Sequence, residues 1–457
     1  MLSMLAGAHR VKHCLSAANT IEEMSLRTQC RYNAGYEHPI VEYTGVNQPA
    51  PGSIETQVAI VGGGIAGLWL LNLLRKQQID TLLLEQASLG GVQTMASQGM
   101  IHGGLKYTLD ATSTTDKLNS AASAIAEMPQ RWRDCFAGNG DLDLSGVKLT
   151  HPDYYMFAAG TLGKLSSFFA SKALQGRIER LPPTHFPPTL QNAGFSGSVY
   201  RLNDPVVDVG SLLRVLSEPH QPQLLQATVN GLRFDAAQQI RSLTTASGLE
   251  VRARTFIFCA GAGNQFFADQ LRAAGHKTAP ATQLRPLHQV FVQHEQLAPF
   301  YAHCLTGVRS PEPRLTITSH GRNDSFGWYI GGALATGGVK RSTREQIEFC
   351  RAELQTVLPW INWSEARYHC LRVDRAEPAQ TDGNKPDTAV AASCANALLC
   401  WPTKLALVPS LGELVVHELV GGELGREHQS EPSVNPSPVT NAATNHPTPP
   451  VAGTPWL

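Results

Sequence analysis

Apolar positions fall in short runs broken by glycine, not in long uninterrupted stretches. Thr56–Val61 (TQVAIV) is brief and rich in β-branched residues, so it reads as a buried strand. Gly62–Gly67 (GGGIAG) interrupts it, Leu68–Lys76 (LWLLNLLRK) reads as a helix, and Thr81–Leu84 (TLLL) is a second strand closed by Glu85. The longest apolar run, Val58 to Leu74, approaches the length of a membrane span. The glycines near its start make strand plus helix the better reading. Thr255–Ala260 (TFIFCA) is another strand, followed by Gly261-Ala262-Gly263 and a helix-like stretch. Lys164–Arg177 (KLSSFFASKALQGR) is amphipathic and basic, with Leu165, Phe168, Phe169 and Ala173 on one face. It either packs on its own domain or lies on a membrane surface. Trp360 and Trp363 read as packing residues near a helix end.

The two ends lack this patterning. Residues 1–53 show no clear period; their first twenty carry Arg10 and Lys12 and no acid, a weak likeness to a transit peptide. We expect a poorly ordered leader there, with Met24 as an alternative start. Residues 427–457 hold seven of the 29 prolines among Ser, Thr and Asn, which predicts a disordered tail over 425–457.

Charge narrows the function classes. Lys plus Arg total 37 and Asp plus Glu total 37, so the net charge is zero and a general nucleic-acid binder is excluded. Hydrophobic residues at 42% suffice for a sizeable core in 457 residues, about three domains' worth. The nine cysteines include no Cys-x-x-Cys and no zinc-ligand spacing, so we expect no metal, buried thiols and a reducing compartment.

The strand, glycine turn, helix, strand and acid of residues 56–85 make a βαβ dinucleotide fingerprint. Gly62 allows the tight turn, Gly64 lets the backbone approach a pyrophosphate, and Gly67 lets the helix pack on the strand. The helix N-terminus then presents free N–H groups to the phosphates. Glu85 stands where a carboxylate accepts ribose hydroxyls, and an acid there disfavours a 2′-phosphate. No second fingerprint and no redox cysteine pair follow, which disfavours a disulfide reductase.

Ala96-Ser97-Gln98-Gly99-Met100-Ile101-His102-Gly103-Gly104-Leu105-Lys106-Tyr107 resembles the flavin-facing segment of the D-amino-acid-oxidase-like FAD oxidoreductases. It is most similar in motif to the glycerol-3-phosphate and L-2-hydroxyglutarate dehydrogenases. Val206–Val209 before a helix, Ala227–Val229, Phe258–Gly263, Arg372–Pro378 (RVDRAEP) and Pro386-Asp387 resemble further landmarks in order, over roughly residues 55 to 420. The resemblance implies FAD as cofactor, held by Gly62, Gly64, Ile65, Ala66, Gly67, Glu85, Gln86, Ser97, Gln98, Val229, Ala260 and Gly261, and by Thr403, Lys404 and Leu405. At Trp401–Leu405 the chain departs from the family, whose loop over the flavin is glycine-rich.

The implied reaction moves a hydride from a CH–OH carbon of a small anionic substrate, a 2-hydroxy acid or glycerol-phosphate-like compound, to flavin N5. His102 is the candidate base, since its ordinary pKa near 6.5 suits proton transfer. A hydrogen bond from the ring to flavin or backbone is the alternative. The matched cationic positions are Lys106, Arg285, His288 and Arg375, with a surface lysine, an ion pair to Glu377 or a core histidine as the bland readings. Lys404 could stabilise reduced flavin, from position alone. Oxidation at a CH–NH2 carbon and a non-catalytic FAD-binding protein are the alternatives.

The expected fold is α/β. A Rossmann-like FAD-binding domain takes 54–138, 205–275 and 372–424. An inserted α+β substrate domain on an antiparallel sheet takes 139–204 and 276–371. We expect a cytoplasmic protein, with peripheral contact at the inner membrane left open. Its partners are the substrate and an acceptor that is oxygen, quinone or a carrier protein.

Overall fold

A computed structural model describes residues 52–104, 116–158, 178–305, 312–321, 323–380, 386–420 and 446–456. Lys106, the basic stripe at 164–177 and residues 1–51 of the expected leader lie outside these residues, while Ser53 already begins a strand.

Two eight-stranded sheets organise the chain. In the first, Ala397–Trp401, Glu250–Phe258, Ser53–Val61, Thr81–Glu85 and Leu224–Gln226 lie side by side and parallel. Val390–Cys394 adds an antiparallel edge, and Val229–Phe234 with Ile240–Thr245 branch off as a meander. Parallel strands are buried on both faces and therefore read as continuous apolar runs. Val58 and Ile60 face one core, Ala59 and Val61 the other. The helices Ile65–Lys76, Val209–Ser217 and Val408–Val420 cover the first face, and Asn264–Ala273 covers the second.

Leu68, Trp69, Leu70, Leu71 and Leu74 are all fully buried. Each such side chain contributes roughly 1.5–3 kcal/mol. A helix packed between sheet and neighbouring helices is apolar nearly all round, which is why Val58–Leu74 mimics a span. Among the described residues no helix is long and apolar enough to cross a membrane.

The second sheet runs Arg367–Pro378, Thr282–Gln293, Gly327–Gly331, Leu315–His320, Ala302–Cys304, Tyr154–Ala158, Ser198–Leu202, Ile178–Arg180. All pairings are antiparallel except that of Ala302–Cys304 with Tyr154–Ala158. The long pair at its edge runs in unbroken register from Thr282↔Pro378 to Gln293↔Arg367, so the boundary expected at 371/372 falls inside one strand. One face packs on the helix Thr343–Val357, opened by a Ser342/Glu345 capping box. The other face carries Phe291, Tyr329, Leu371 and Val373 against Ala96. The α/β class and the second, mainly antiparallel sheet are as expected.

The far C-terminus is a correction. Residues 446–456 lie against the body instead of forming part of a disordered tail: Gln226 N–H donates to Pro447 O (2.8 Å) and Leu89 N–H to Pro450 O (2.8 Å). The low apolar content suggested too little burial to offset ordering. A few residues, Val451, Ala452 and Trp456, supply it by packing on existing cores. The seven described cysteines are free thiols, six of them buried. Trp363 is buried in the second core and Trp360 donates to Thr189 O, so both act in packing.

Candidate active site

Most of the residues assigned to the cofactor gather at the carboxyl end of the first sheet's parallel strands. Gly62 follows the strand Ser53–Val61, Glu85 ends Thr81–Glu85, Ala260 and Gly261 follow Glu250–Phe258, and Thr403 follows Ala397–Trp401. All are carboxyl ends of parallel strands, where open α/β sheets bind ligands.

Gly62 has φ +110°, and a Cβ there would meet Cys259 O at 2.5 Å. A Cβ on Gly67 would sit 2.0 Å from Gly62 O, so helix and turn approach only because Gly67 lacks a side chain. A Cβ on Gly64 would meet only Thr94 Oγ1, at 3.2 Å. Ile65 and Ala66 are buried in the first turn, and Thr94 Oγ1 accepts from Ile65 N–H (3.2 Å). The Glu85 carboxylate accepts from Gly63 N–H (2.7 Å) and Ala87 N–H (3.0 Å), with exposed Gln86 beside it. Burial raises its pKa above the ordinary carboxylate value, against those backbone bonds. Val229 is half-buried at the root of the meander. Gly261, at φ +58°, has open space where a side chain would point.

The loop after Trp401 departs from glycine-rich chemistry, yet Thr403 adopts φ +59°, the left-handed backbone a glycine would supply there. Its Oγ1 donates to Thr388 O (3.0 Å). Lys404 donates from Nζ to Asp387 O (3.1 Å), and Leu405 begins the turn into the helix Val408–Val420.

Ala96–Gly104 crosses from the first sheet to the second. Gln98 Nε2 donates to Thr316 O and Tyr329 O, both at 3.0 Å. Tyr329 Oη donates to Ala96 O (3.1 Å), and Val207 N–H to Gly99 O (2.8 Å). The Ser97 hydroxyl is buried with no hydrogen-bond partner. His102 is half-buried, and its Nδ1 accepts from Gly104 N–H (3.3 Å).

Arg285 and Arg375 face each other across the long strand pair. Arg285 Nη1 lies 3.3 Å from Glu377, which is fully buried. The Arg375 Nε is buried and unpartnered, and burial and then Arg285 lower its pKa while Glu377 and Glu312 oppose the shift. His288 does not join them. It stands three residues from Arg285, an odd step that turns it to the opposite face of the strand. There it is fully buried, with Nδ1 3.0 Å from Gly338 O.

The family model for FAD-dependent oxidoreductases of the DAO type matches residues 57–396. The chain belongs to the DAO family of FAD-dependent oxidoreductases. A probable FAD-dependent oxidoreductase of Pseudomonas aeruginosa, PA4991, is 43% identical over 399 residues, covering 86% of this chain and 98% of the relative. The crystal structure of PA4991 has a TM-score of 0.72 at 39% identity, covering 89% of this chain and 98% of that one. An L-α-glycerophosphate oxidase from Mycoplasma pneumoniae, solved with FAD bound, has a TM-score of 0.59 at 14% identity, covering 80% of this chain and 94% of that one. A glycine oxidase from Geobacillus kaustophilus has a TM-score of 0.55 at 16% identity, covering 85% and 98%. At such identities the last two speak for the fold alone.

The residues of this oxidoreductase fit FAD. The open cradle at Gly64 and Gly261 and the orphaned Ser97 hydroxyl are features a bound dinucleotide would fill or satisfy. Glu85 would hold the ribose and the first helix turn the pyrophosphate.

Sequence reasoning missed His303, His320 and Thr94. His303 Nδ1 lies 3.0 Å from Thr316 Oγ1, and His320 Nε2 lies 2.8 Å from Thr318 Oγ1, which also accepts from Gln98 Nε2 (3.3 Å). One signal was available: Thr316, Thr318 and His320 stand at every second position, with Leu315, Ile317 and Ser319 between them, so they line one strand face. Burial pushes both imidazoles down to about 4 from 6.5. Between those values the unfolded chain binds more protons, so stability is lost as pH falls through this window. We expect the thermal midpoint of the FAD-saturated enzyme to drop from about pH 6.5 towards pH 4, and a His303→Gln/His320→Gln double variant to show a flatter profile. An unchanged slope would count against the burial of both rings.

Proposed function

We propose that this FAD-dependent oxidoreductase oxidises a small anionic substrate at a CH–OH carbon, a 2-hydroxy acid or glycerol-phosphate-like compound. The observation that supports this reading is Arg375, a guanidinium with a buried, unpartnered Nε beside a second guanidinium, Arg285. Leaving a buried donor unmet costs about 1–3 kcal/mol, more on a charged group. An arriving carboxylate or phosphate would satisfy it through the planar fork. Ile101–Gly104 and Lys106 add the likeness to glycerol-3-phosphate and L-2-hydroxyglutarate dehydrogenases, and Lys106 is assigned as a further anchor on that likeness.

Bound FAD supplies the hydride acceptor. The protein's share is to hold the anion and take the hydroxyl proton, a role we assign to His102. Proton acceptance at Nδ1 displaces the Gly104 N–H contact.

Anaerobic mixing of the yellow enzyme with hydroxy acids, glycerol phosphate and amino acids tests the reading. Bleaching of the flavin band by a hydroxylated anion is expected. Bleaching by amino acids alone would move the substrate to the CH–NH2 class, and bleaching only by neutral alcohols would remove the anion site.

A further inference from the structure

We propose that residues 446–456 are a strap that holds the adenosine side of the FAD site together from outside. The segment crosses both halves of the architecture. Beside the first sheet, Gln226 N–H donates to Pro447 O (2.8 Å), Leu89 N–H to Pro450 O (2.8 Å) and Ala452 N–H to Leu89 O (3.0 Å). Leu89 and Val451 form a parallel bridge. On the second sheet, the Trp456 ring stacks on Phe291 (5.3 Å between centroids, 17° between planes) and packs on Tyr329 (4.5 Å) and His320 (4.8 Å).

The grip on Leu89 reaches the cofactor turn in two short steps. Leu89 is fully buried, and its side chain fills the space beside Gly63, where a Cβ would meet it at 2.6 Å. The next residue, Gly90, donates its N–H to Gly63 O (2.9 Å), and Gly63 N–H donates to the Glu85 carboxylate (2.7 Å). The strap therefore fixes the loop that fixes both the glycine turn and the acid assigned to the ribose. Its own ordering cost is low. Pro447, Pro449 and Pro450 have restricted backbones and no N–H to leave unmet, and the segment uses carbonyls and one alanine N–H. Trp456 anchors the far end, with aromatic pairs each contributing about 0.5–1.5 kcal/mol beyond burial. These positions act on the cofactor through Leu89 and Gly63, so they are positioning residues.

The inference rests on FAD binding and not on any substrate, so its readout is FAD release. Full-length enzyme, Trp456→Ala, Trp456→Phe and a chain ending at Asn445 are diluted into FAD-free buffer, and the rise of free-flavin fluorescence is followed. Trp456→Ala should release FAD about tenfold faster, the factor that one or two lost aromatic contacts imply. Trp456→Phe should stay close to the full-length rate, and the shortened chain should be fastest, with slow release restored by a synthetic 446–457 peptide. Equal release rates in Trp456→Ala and the full-length enzyme, with or without a lowered melting point, would overturn the proposal. Should the shortened chain fail to fold, the two Trp456 variants alone decide.

Discussion

Gly67→Ala should yield a colourless protein. The added methyl would lie 2.0 Å from Gly62 O, against backbone that cannot swing aside, so helix and turn must separate. Overpacking of this kind costs about 1–3 kcal/mol, and the damage falls on the turn that approaches the pyrophosphate. We expect FAD affinity to drop about a hundredfold, together with a lower melting point of the apoprotein. Gly64→Ala makes the contrast. Its methyl would meet only Thr94 Oγ1 at 3.2 Å, so the apoprotein should melt near the unaltered temperature while FAD still binds weakly. Titration of both apoproteins with FAD, beside their melting curves, separates damage to the fold from loss of the cradle. Tight FAD binding by Gly67→Ala would show that this turn does not hold the cofactor.

The second large effect is expected at Arg375. Arg375→Met removes one of two facing guanidiniums and leaves Arg285 with Glu377. Truncating one partner of a buried charge contact costs about 2–5 kcal/mol, so kcat/KM for the anionic substrate should fall by roughly thirty- to several thousandfold. FAD content should be unchanged, since no cofactor role is assigned to this strand. Arg375→Lys keeps the charge without the planar fork and should recover only part of the loss. Flavin reduction by a saturating substrate separates weakened binding from a misplaced reacting carbon. A kcat/KM within threefold of the unaltered enzyme would remove Arg375 from the substrate site.

The βαβ unit with its glycine turn was legible because its determinants are local. Gly62, Gly64, Gly67 and Glu85 lie in one βαβ unit, where turn geometry and helix packing permit few residue types. The substrate half was read less well. His288 and Arg285 look equivalent in sequence, and only the strand's alternation separates them. His303 and His320 belong to no motif: Thr318 is two residues from His320 on the same strand, but His303 meets Thr316 from a neighbouring strand and Gln98 comes from a distant segment.

By itself, the sequence determined the α/β class, the FAD family and the glycine turn with its acid, because short-range sterics and periodicity decide those. The balanced charge of the whole chain hid a local pairing of Arg285 with Arg375, which appears only once the two strands lie in register. The C-terminal segment shows the same division. Its composition alone suggests disorder, because it cannot bury enough apolar surface against itself. The tertiary structure decides otherwise, by presenting Leu89, Phe291 and Tyr329 as a surface already built, on which three hydrogen bonds and one tryptophan suffice.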